Sequence, residues 1–424
     1  MAAQGCRSGG GGVSLPEDIM FFDVLSRLPV KQLCRFRCVS KRWRALISDP
    51  AFVAAQKSRG PRLVVAVFGA PRKVASPVPY FLEKVEVELR VMDTDGNVLG
   101  VVEGVTSEPG VWVPNLLQAR LDLVCVDNGP QGASIIDPLN GRVVRVGRLA
   151  SPSEDYQNYF HRTWEQSTLA RANPSNAYKI VRIGTTNESL LPGGSQICVV
   201  GTLGDPGVKI KWRQRLPPPV VTCVCCNCSR ATINGVVHFL TREAHKRGSP
   251  PGWNRITSFD LESEEWKTTV MDGPFMGRPK EGHSWTVALV ELNGTLGMVQ
   301  NIWCRQKLRS SEINIWLLVD PEKSIWTRKY AIHVPRDVFL MKVLDVLDHG
   351  RVLLLTSFLS VAEKYRGLLG KKSILQLFDP NTSTFTDLVQ MPKEFKDTMT
   401  LYTGDFLSCS KAVHHTTSNI LGSR

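Results

Sequence analysis

The residues with the densest capacity for chemistry are Cys223, Cys225, Cys226 and Cys228, spaced C-x-C-C-x-C. Thiolates ligate zinc and copper. Structural zinc sites, however, draw on cysteine pairs two to four residues apart plus a second pair further along, whereas alternate residues of a strand point the same way. The spacing therefore predicts a structural or redox-sensitive strand and no bound metal. His238, His245 and His283 have neither HExxH spacing nor an acid at a catalytic interval, and read as isolated surface or packed histidines. Pro192-Gly193-Gly194-Ser195 lacks the lysine of a phosphate-cradling loop and reads as a turn. With no convergent acids, nucleophiles or ligands, the chain is expected to be no enzyme and to need no cofactor.

Bulk properties narrow what such a chain can be. It has 424 residues, 42% hydrophobic and 21% charged, enough for one large domain and a smaller one. The longest apolar runs, Val352 to Leu355 and Ile315 to Val319, stop well short of the ~18 residues a spanning helix requires. Eleven cysteines and no secretory leader favour free thiols in a reducing compartment, cytoplasm and/or nucleus. Fifty-two Lys and Arg against 39 Asp and Glu give a net charge of +13, which suits nucleic acid, an anionic surface or an acidic protein.

Three short helices are expected near the start. Ser14-Leu15-Pro16-Glu17 combines a capping serine, an early proline and a glutamate three residues on. From Ile19 to Leu25 apolar side chains point nearly all round the helix, giving it two sticky faces. Leu28-Pro29 ends it, and a second segment carries Leu33, Cys34, Phe36 and Cys38. Ser40 caps a third helix with Trp43, Leu46 and Ile47 at i, i+3 and i+4, and Asp49-Pro50 supplies its stop. So small a unit cannot enclose all these side chains, so Leu15, Ile19, Leu28 and Leu33 should leave surface for a partner. Burying four of them would contribute roughly 6 to 12 kcal/mol before the cost of association. A different reading makes Lys31, Arg35, Arg37, Lys41, Arg42 and Arg44 a nucleic-acid patch on a helical N-terminal module, the chain then being a basic nucleic-acid-binding protein.

The run LPEDIMFFDVLSRLPVKQLCRFRCVSKRWRALISDPAF resembles an F-box, with its Leu15-Pro16 opening, Leu28-Pro29 turn, Arg37-Cys38-Val39-Ser40-Lys41 run and Trp43. The resemblance implies docking onto the Skp adaptor, and through it a cullin and a RING subunit, so that the chain recruits a target protein for ubiquitination. It assigns adaptor contact to Leu15, Pro16, Ile19, Leu28, Pro29, Leu33 and Val39, and the module's interior to Leu25, Phe36, Trp43 and Leu46.

Beyond Pro61 the texture changes to short runs of Val, Ile, Leu and aromatics broken by Gly, Pro, Asn and Asp, a β-rich pattern. Strands are expected at Arg62 to Phe68, Val85 to Met92, Leu121 to Val126, Ile197 to Thr202, Val236 to Leu240, Val287 to Leu292, Ile313 to Val319 and Ile374 to Phe378, and none is clear from Ser151 to Asn176. A unit recurs: Ile135-Ile136-Asp137-Pro138 with Asn140-Gly141, Ile256 to Asp260 with Glu265-Trp266, Trp316 to Pro321 with Ile325-Trp326, and Leu377 to Pro380 with Thr384-Phe385. Strand, acidic turn and aromatic strand form a hairpin, and repeating it radially gives roughly six to eight propeller blades; a β-sandwich or two smaller β domains is the competing architecture.

Ala177-Tyr178-Lys179-Ile180-Val181-Arg182, Ile233-Asn234-Gly235-Val236, Ile256 to Asp260, Leu292-Asn293-Gly294 and Ile315-Trp316 resemble, in order, the F-box-associated domain of plant F-box proteins. The expected organisation is α+β by chain: a flexible tail over 1–13, a three-helix F-box over 14–58, an all-β, kelch-like propeller over 61–410, and a flexible tail over 411–424. The target and the residues that bind it are not legible in the sequence.

Overall fold

The computed structural model describes residues 24–59, 62–69, 85–107, 115–116, 120–127, 132–146, 165–185, 196–204, 210–224, 229–241, 254–274, 280–304, 309–335, 338–359, 371–404 and 407. They fall in two compact units, Leu63–Gly404 and a helical unit formed by Met1–Arg62 with Asp405–Arg424. The first ten residues of the expected F-box, both expected tails and the Pro192–Ser195 turn lie outside the described residues.

In the helical unit a 3₁₀ turn, Leu25–Arg27, is followed by α1 (Val30–Phe36), α2 (Lys41–Ile47) and α3 (Pro50–Arg59). Pro29 cannot continue a helix from Leu28, but its carbonyl accepts from Gln32 N (3.0 Å) and Leu33 N (3.2 Å) and so starts α1. Ser40 caps α2 as its sequence predicts, its hydroxyl oxygen accepting from Trp43 N at 3.1 Å. Asp49-Pro50, expected only as a stop, also begins a helix. Asp49 Oδ1 accepts from Ala51 N (2.8 Å) and Phe52 N (3.4 Å), and Pro50 occupies the first helical position, where its missing N–H is no loss.

The second unit is a six-bladed β-propeller of four-stranded antiparallel sheets. Blade one joins β1 (Leu63–Gly69), β2 (Val85–Asp93) and β3 (Val98–Ser107) to the last strand, β24 (Phe395–Tyr402). Blade two holds β4 (Asn115–Leu116), β5 (Val124–Asp127), β6 (Ala133–Asp137) and β7 (Arg142–Val146). Blade three holds β8 (Glu165–Arg171), β9 (Tyr178–Thr185), β10 (Gln196–Thr202) and β11 (Lys211–Arg215). Blade four holds β12 (Arg230–Ile233), β13 (Val236–Leu240), β14 (Ile256–Asp260) and β15 (Glu265–Trp266). Blade five holds β16 (His283–Leu292), β17 (Thr295–Cys304), β18 (Arg309–Asp320) and β19 (Ile325–His333). Blade six holds β20 (Val338–Val346), β21 (Val352–Leu359), β22 (Lys371–Asp379) and β23 (Thr384–Gln390).

The ring closes because β24 pairs with β1, Leu63 facing Tyr402 and Phe68 facing Phe395, so the two ends of the domain share one sheet. The innermost strands touch around the axis: β12 meets β16, β16 meets β20, β20 meets β24, and β24 meets β4. The core lies in layers between blades. Val181, Ile183 and Val200 of blade three pack on Val237, Phe239 and Phe259 of blade four, and Ile313 and Ile332 of blade five pack on Val343 and Leu354 of blade six. A sandwich would have one such layer; here blades three to six are each covered on two sides.

The recurring hairpin is the link from third to fourth strand in four blades, and blade one closes its own β2–β3 link in the same way, Asp93 Oδ1 accepting from Asp95 N at 3.1 Å. In the four, Asp137, Asp260, Asp320 and Asp379 each close the hairpin through Oδ1, accepting from the backbone N–H two residues on: Leu139 (3.0 Å), Glu262 (2.8 Å), Glu322 (3.0 Å) and Asn381 (2.8 Å). The chain then turns through a left-handed residue at Gly141, Glu264, Ser324 or Ser383.

Two tight turns of Asn-Gly, at Asn234-Gly235 and Asn293-Gly294, have positive φ at both residues, the geometry that matches strand twist. A Cβ on Gly235 would stand 2.8 Å from the backbone nitrogen of Asn173 in the neighbouring blade, while a Cβ on Gly294 meets nothing within 4 Å. Gly294→Ala is therefore expected to cost only the left-handed penalty of about 1 kcal/mol. Gly235→Ala should cost at least about 1 kcal/mol more, because backbone must move as well. Urea unfolding of the two variants side by side checks this, and equal losses would contradict it.

Candidate docking site

The docking candidates sit on a small helical scaffold with its own interior. Leu25, Val30, Leu33, Ile47, Phe52 and Val53 are buried, and the Phe36 and Trp43 rings meet edge to face with centroids 5.4 Å apart. Val30 and Leu33, one turn apart on α1, share the face that is turned inward.

Of the residues assigned to partner contact, Leu15, Pro16 and Ile19 lie outside the described residues. Leu28 and Pro29 are half-buried, and Val39 is 67% exposed in the link between α1 and α2. Leu33 is 0% exposed, on the inward face of α1 beside Val30. Among the residues expected inside, Leu25 is buried, while Phe36, Trp43 and Leu46 are only half-buried. Ile47, Phe52 and Val53 are buried in the module as well. Ile47 was available from the i, i+3, i+4 pattern of α2. Phe52 and Val53 were not, because α3 was hidden behind its proline.

The chemistry-bearing residues of the propeller are built into its packing. Cys223 is buried, whereas Cys225, Cys226, Cys228 and His245 lie outside the described residues. Burial pushes the thiols of Cys125 and Cys198 up, that of Cys198 to about 12. His238 sits on β13 with its Nδ1 2.9 Å from Ser258 Oγ, and burial, helped by Lys267, lowers its pKa to about 4. It is a neutral, packed histidine at physiological pH. His283 Nδ1 lies 3.1 Å from the Glu281 carbonyl. No group of three or more His, Cys, Asp or Glu among the described residues is placed to hold a metal ion. No helix among them is long and apolar enough to cross a membrane.

Two ion clusters add to what the hydrophobic layers hold together. Arg120, ahead of β5 in blade two, pairs with Glu291 of blade five and Asp345 of blade six, the blade directly across the axis and its neighbour. Glu264, in the third turn of blade four, receives Lys179 Nζ at 3.0 Å and the guanidinium groups of Arg213 and Arg215 from blade three. Both are on the face that carries the first-to-second and third-to-fourth strand turns, since antiparallel strands return to one face at every second turn. On that face Ser175 Oγ donates to Glu262 Oε2 (2.6 Å) and Lys179 Nζ to the Leu261 carbonyl (2.6 Å), so neighbouring turns are stitched together. The rim is fastened too: the indole N–H groups of Trp266 and Trp326 donate to the carbonyls of Leu216 (2.8 Å) and Asp272 (2.9 Å).

Comparison with known proteins agrees with this division. Residues 14–54 match the F-box domain, and residues 124–404 match the F-box associated beta propeller domain. The chain is similar to F-box protein At2g40925 of Arabidopsis thaliana, 24% identical over 348 residues that span 79% of this chain and 77% of the relative. F-box protein At3g07870 of the same plant is 24% identical over 404 residues, 90% of this chain and 88% of the relative. F-box/kelch-repeat protein At4g19930, also from Arabidopsis thaliana, is 23% identical over 360 residues, 77% and 72% of the two chains.

Proposed function

The chain belongs to the F-box proteins with an F-box associated β-propeller domain, and on that premise we propose that it is the target-recruiting adaptor of a Skp-cullin-F-box ubiquitin ligase. The observation that carries this reading is the joining, in one chain, of an F-box match at 14–54 with a propeller match at 124–404. An F-box implies binding to the Skp adaptor, which brings the cullin and RING subunits. The propeller is then the part that selects a target.

Adaptor contact is assigned to Leu15, Pro16, Ile19, Leu28, Pro29 and Val39, with Leu33 supporting them from inside. Val39 is the clearest member because an exposed valine gains burial only from a partner, worth about 1.5 kcal/mol or more when fully covered. Target capture is assigned to the propeller face opposite the stitched turns, since turns fixed by buried ions and Asp-capped loops leave little freedom to shape a recognition surface. The chain itself performs no covalent chemistry in this reading: ubiquitin comes from a separate conjugating enzyme. The ligase role would place it in cytoplasm and/or nucleus.

Pull-down of the Skp adaptor by the full chain tests the reading. Wild type should capture it, and Leu15→Ala/Pro16→Ala and Val39→Glu should each reduce capture about tenfold or more, the factor that about 1.4 kcal/mol represents. The propeller should stay folded in both variants. Equal capture by all three chains would overturn the interface assignment. Failure of the wild type to capture the adaptor would overturn the adaptor role.

A further inference from the structure

The chain's positive charge is concentrated in the docking module. Residues 24–62 hold ten Lys and Arg and a single acid, Asp49, and the ten residues ahead of them add only Glu17, Asp18 and Asp23. The structure sorts these cations by face. Lys31 and Arg35 are one turn apart on the exposed side of α1, opposite buried Val30 and Leu33. Lys41 and Arg44 are likewise exposed and one turn apart on α2. None of these four makes an ion pair with any described residue. Between the two rows, in the link from Arg37 to Ser40, stands exposed Val39.

We propose that Lys31, Arg35, Lys41 and Arg44 form a basic rim around the apolar contact at Val39, that this rim fits an acidic protein face, and that it sets the rate at which the Skp adaptor docks. The inference rests on the adaptor reading above and adds the charge of the partner's face and the kinetic step it controls. Lys31 and Arg35 on α1, and Lys41 and Arg44 on α2, are like charges one turn apart that repel within each pair and are relieved when an opposite charge is brought to them. Rim charges act mainly on encounter: complementary potentials raise association rates, whereas dissociation is governed by the desolvated centre. Val39 offers a partner an exposed apolar side chain, as the centre of a protein interface requires. A nucleic-acid surface needs cations and hydrogen-bond donors at its centre, where this module has a valine.

The test is stopped-flow association of the full chain with the Skp adaptor across salt, for wild type and for the Lys31→Gln/Arg35→Gln/Lys41→Gln/Arg44→Gln variant, whose substitutions are all exposed. Wild-type association should slow about tenfold or more between low salt and about 0.5 M, where screening shortens to a few ångströms. The variant should associate about tenfold more slowly at low salt, with a nearly flat salt dependence and a dissociation rate within about twofold of wild type. Fast, salt-independent association that is equal in the two chains overturns the rim while leaving the adaptor role standing. No association by the wild type removes the adaptor role and the rim together. A labelled DNA duplex and a single-stranded RNA form the second arm. If the wild type binds either and the variant does not, while their adaptor kinetics coincide, the rim belongs to nucleic acid and the proposal fails.

Discussion

Arg120→Met is expected to lower the unfolding free energy by about 3 to 5 kcal/mol at pH 7, the range for removing one partner of a buried ion pair. Asp345 is fully buried and Glu291 largely so, and Arg120 is the cation that stands on both, also donating from Nη2 to the Glu291 carbonyl at 3.4 Å. Methionine keeps the length of the side chain and removes the charge, leaving two carboxylates to face each other in a poorly solvated place. Burial already raises the pKa of Glu291, with Arg120 and the Gly294 N–H pulling it back and Asp345 adding to the rise. Without Arg120 only the Gly294 N–H opposes the rise. A carboxyl whose folded pKa lies above its unfolded value takes up a proton on folding, so its penalty is present at high pH and fades as pH falls through the folded pKa. The deficit of the variant, measured by urea unfolding, should therefore be larger at pH 7 than at pH 5, and Glu291→Gln on the same background should restore part of it. A deficit below about 1 kcal/mol at both pH values would mean that the cluster does not hold the ring across its axis.

Glu264→Gln is expected to cost about 2 kcal/mol at pH 7 and to abolish a stability change that wild type shows in acid. Burial by itself would raise the Glu264 pKa. Hydrogen bonds from Arg213, Lys179 and Arg215 outweigh it and hold the group at about 2, against 4.5 for a free glutamate. Arg213 Nε and Arg215 Nε donate to Oε2 at 3.0 and 2.8 Å. A depressed carboxylate contributes stability that is fully present above its unfolded pKa and is lost as pH falls through the folded one, here between about pH 4.5 and pH 2. The gap corresponds to about 3 kcal/mol, and solvent reaching the guanidinium groups, whose side chains are 34% and 32% exposed, reduces this to about 2. Glutamine keeps the shape and removes the charge, so Lys179, Arg213 and Arg215 are left converging on a neutral amide. Thermal unfolding of both chains from pH 6 to pH 2.5 should show wild type descending toward the variant. Two parallel curves would rule out Glu264 as the lock between blades three and four.

The features that could be read from sequence are those whose hydrogen-bond partners are a few residues away. Ser40 reaches the N–H of Trp43, and each of Asp137, Asp260, Asp320 and Asp379 reaches the N–H two residues on, so capped helix and recurring hairpin were legible before any fold was known. Asn234-Gly235 and Asn293-Gly294 carry their backbone geometry in their residue types. The strand β8 was not legible, because Glu165–Arg171 is polar and shows no alternation. Its polar residues are buried on partners far along the chain: Gln166 Nε2 donates to Ser229 Oγ at 3.3 Å, and the Ser167 N–H points at Asp127 Oδ2 at 3.4 Å. An innermost propeller strand meets its partners around the axis, and hydrophobic periodicity does not record that.

Only the tertiary structure decided the count of six blades, the closure of β24 on β1, and the turning of Leu33 inward while Val39 faces out. The same holds for the two ion clusters: Arg120 finds Glu291 and Asp345, 171 and 225 residues away. The sequence by itself determined that there is a small apolar docking module and a β domain of repeated hairpins, because caps, turns and residue patterns act over one or two turns of chain. Which faces are covered, and how many hairpins complete a ring, depends on contacts whose energy exists only once distant segments have met.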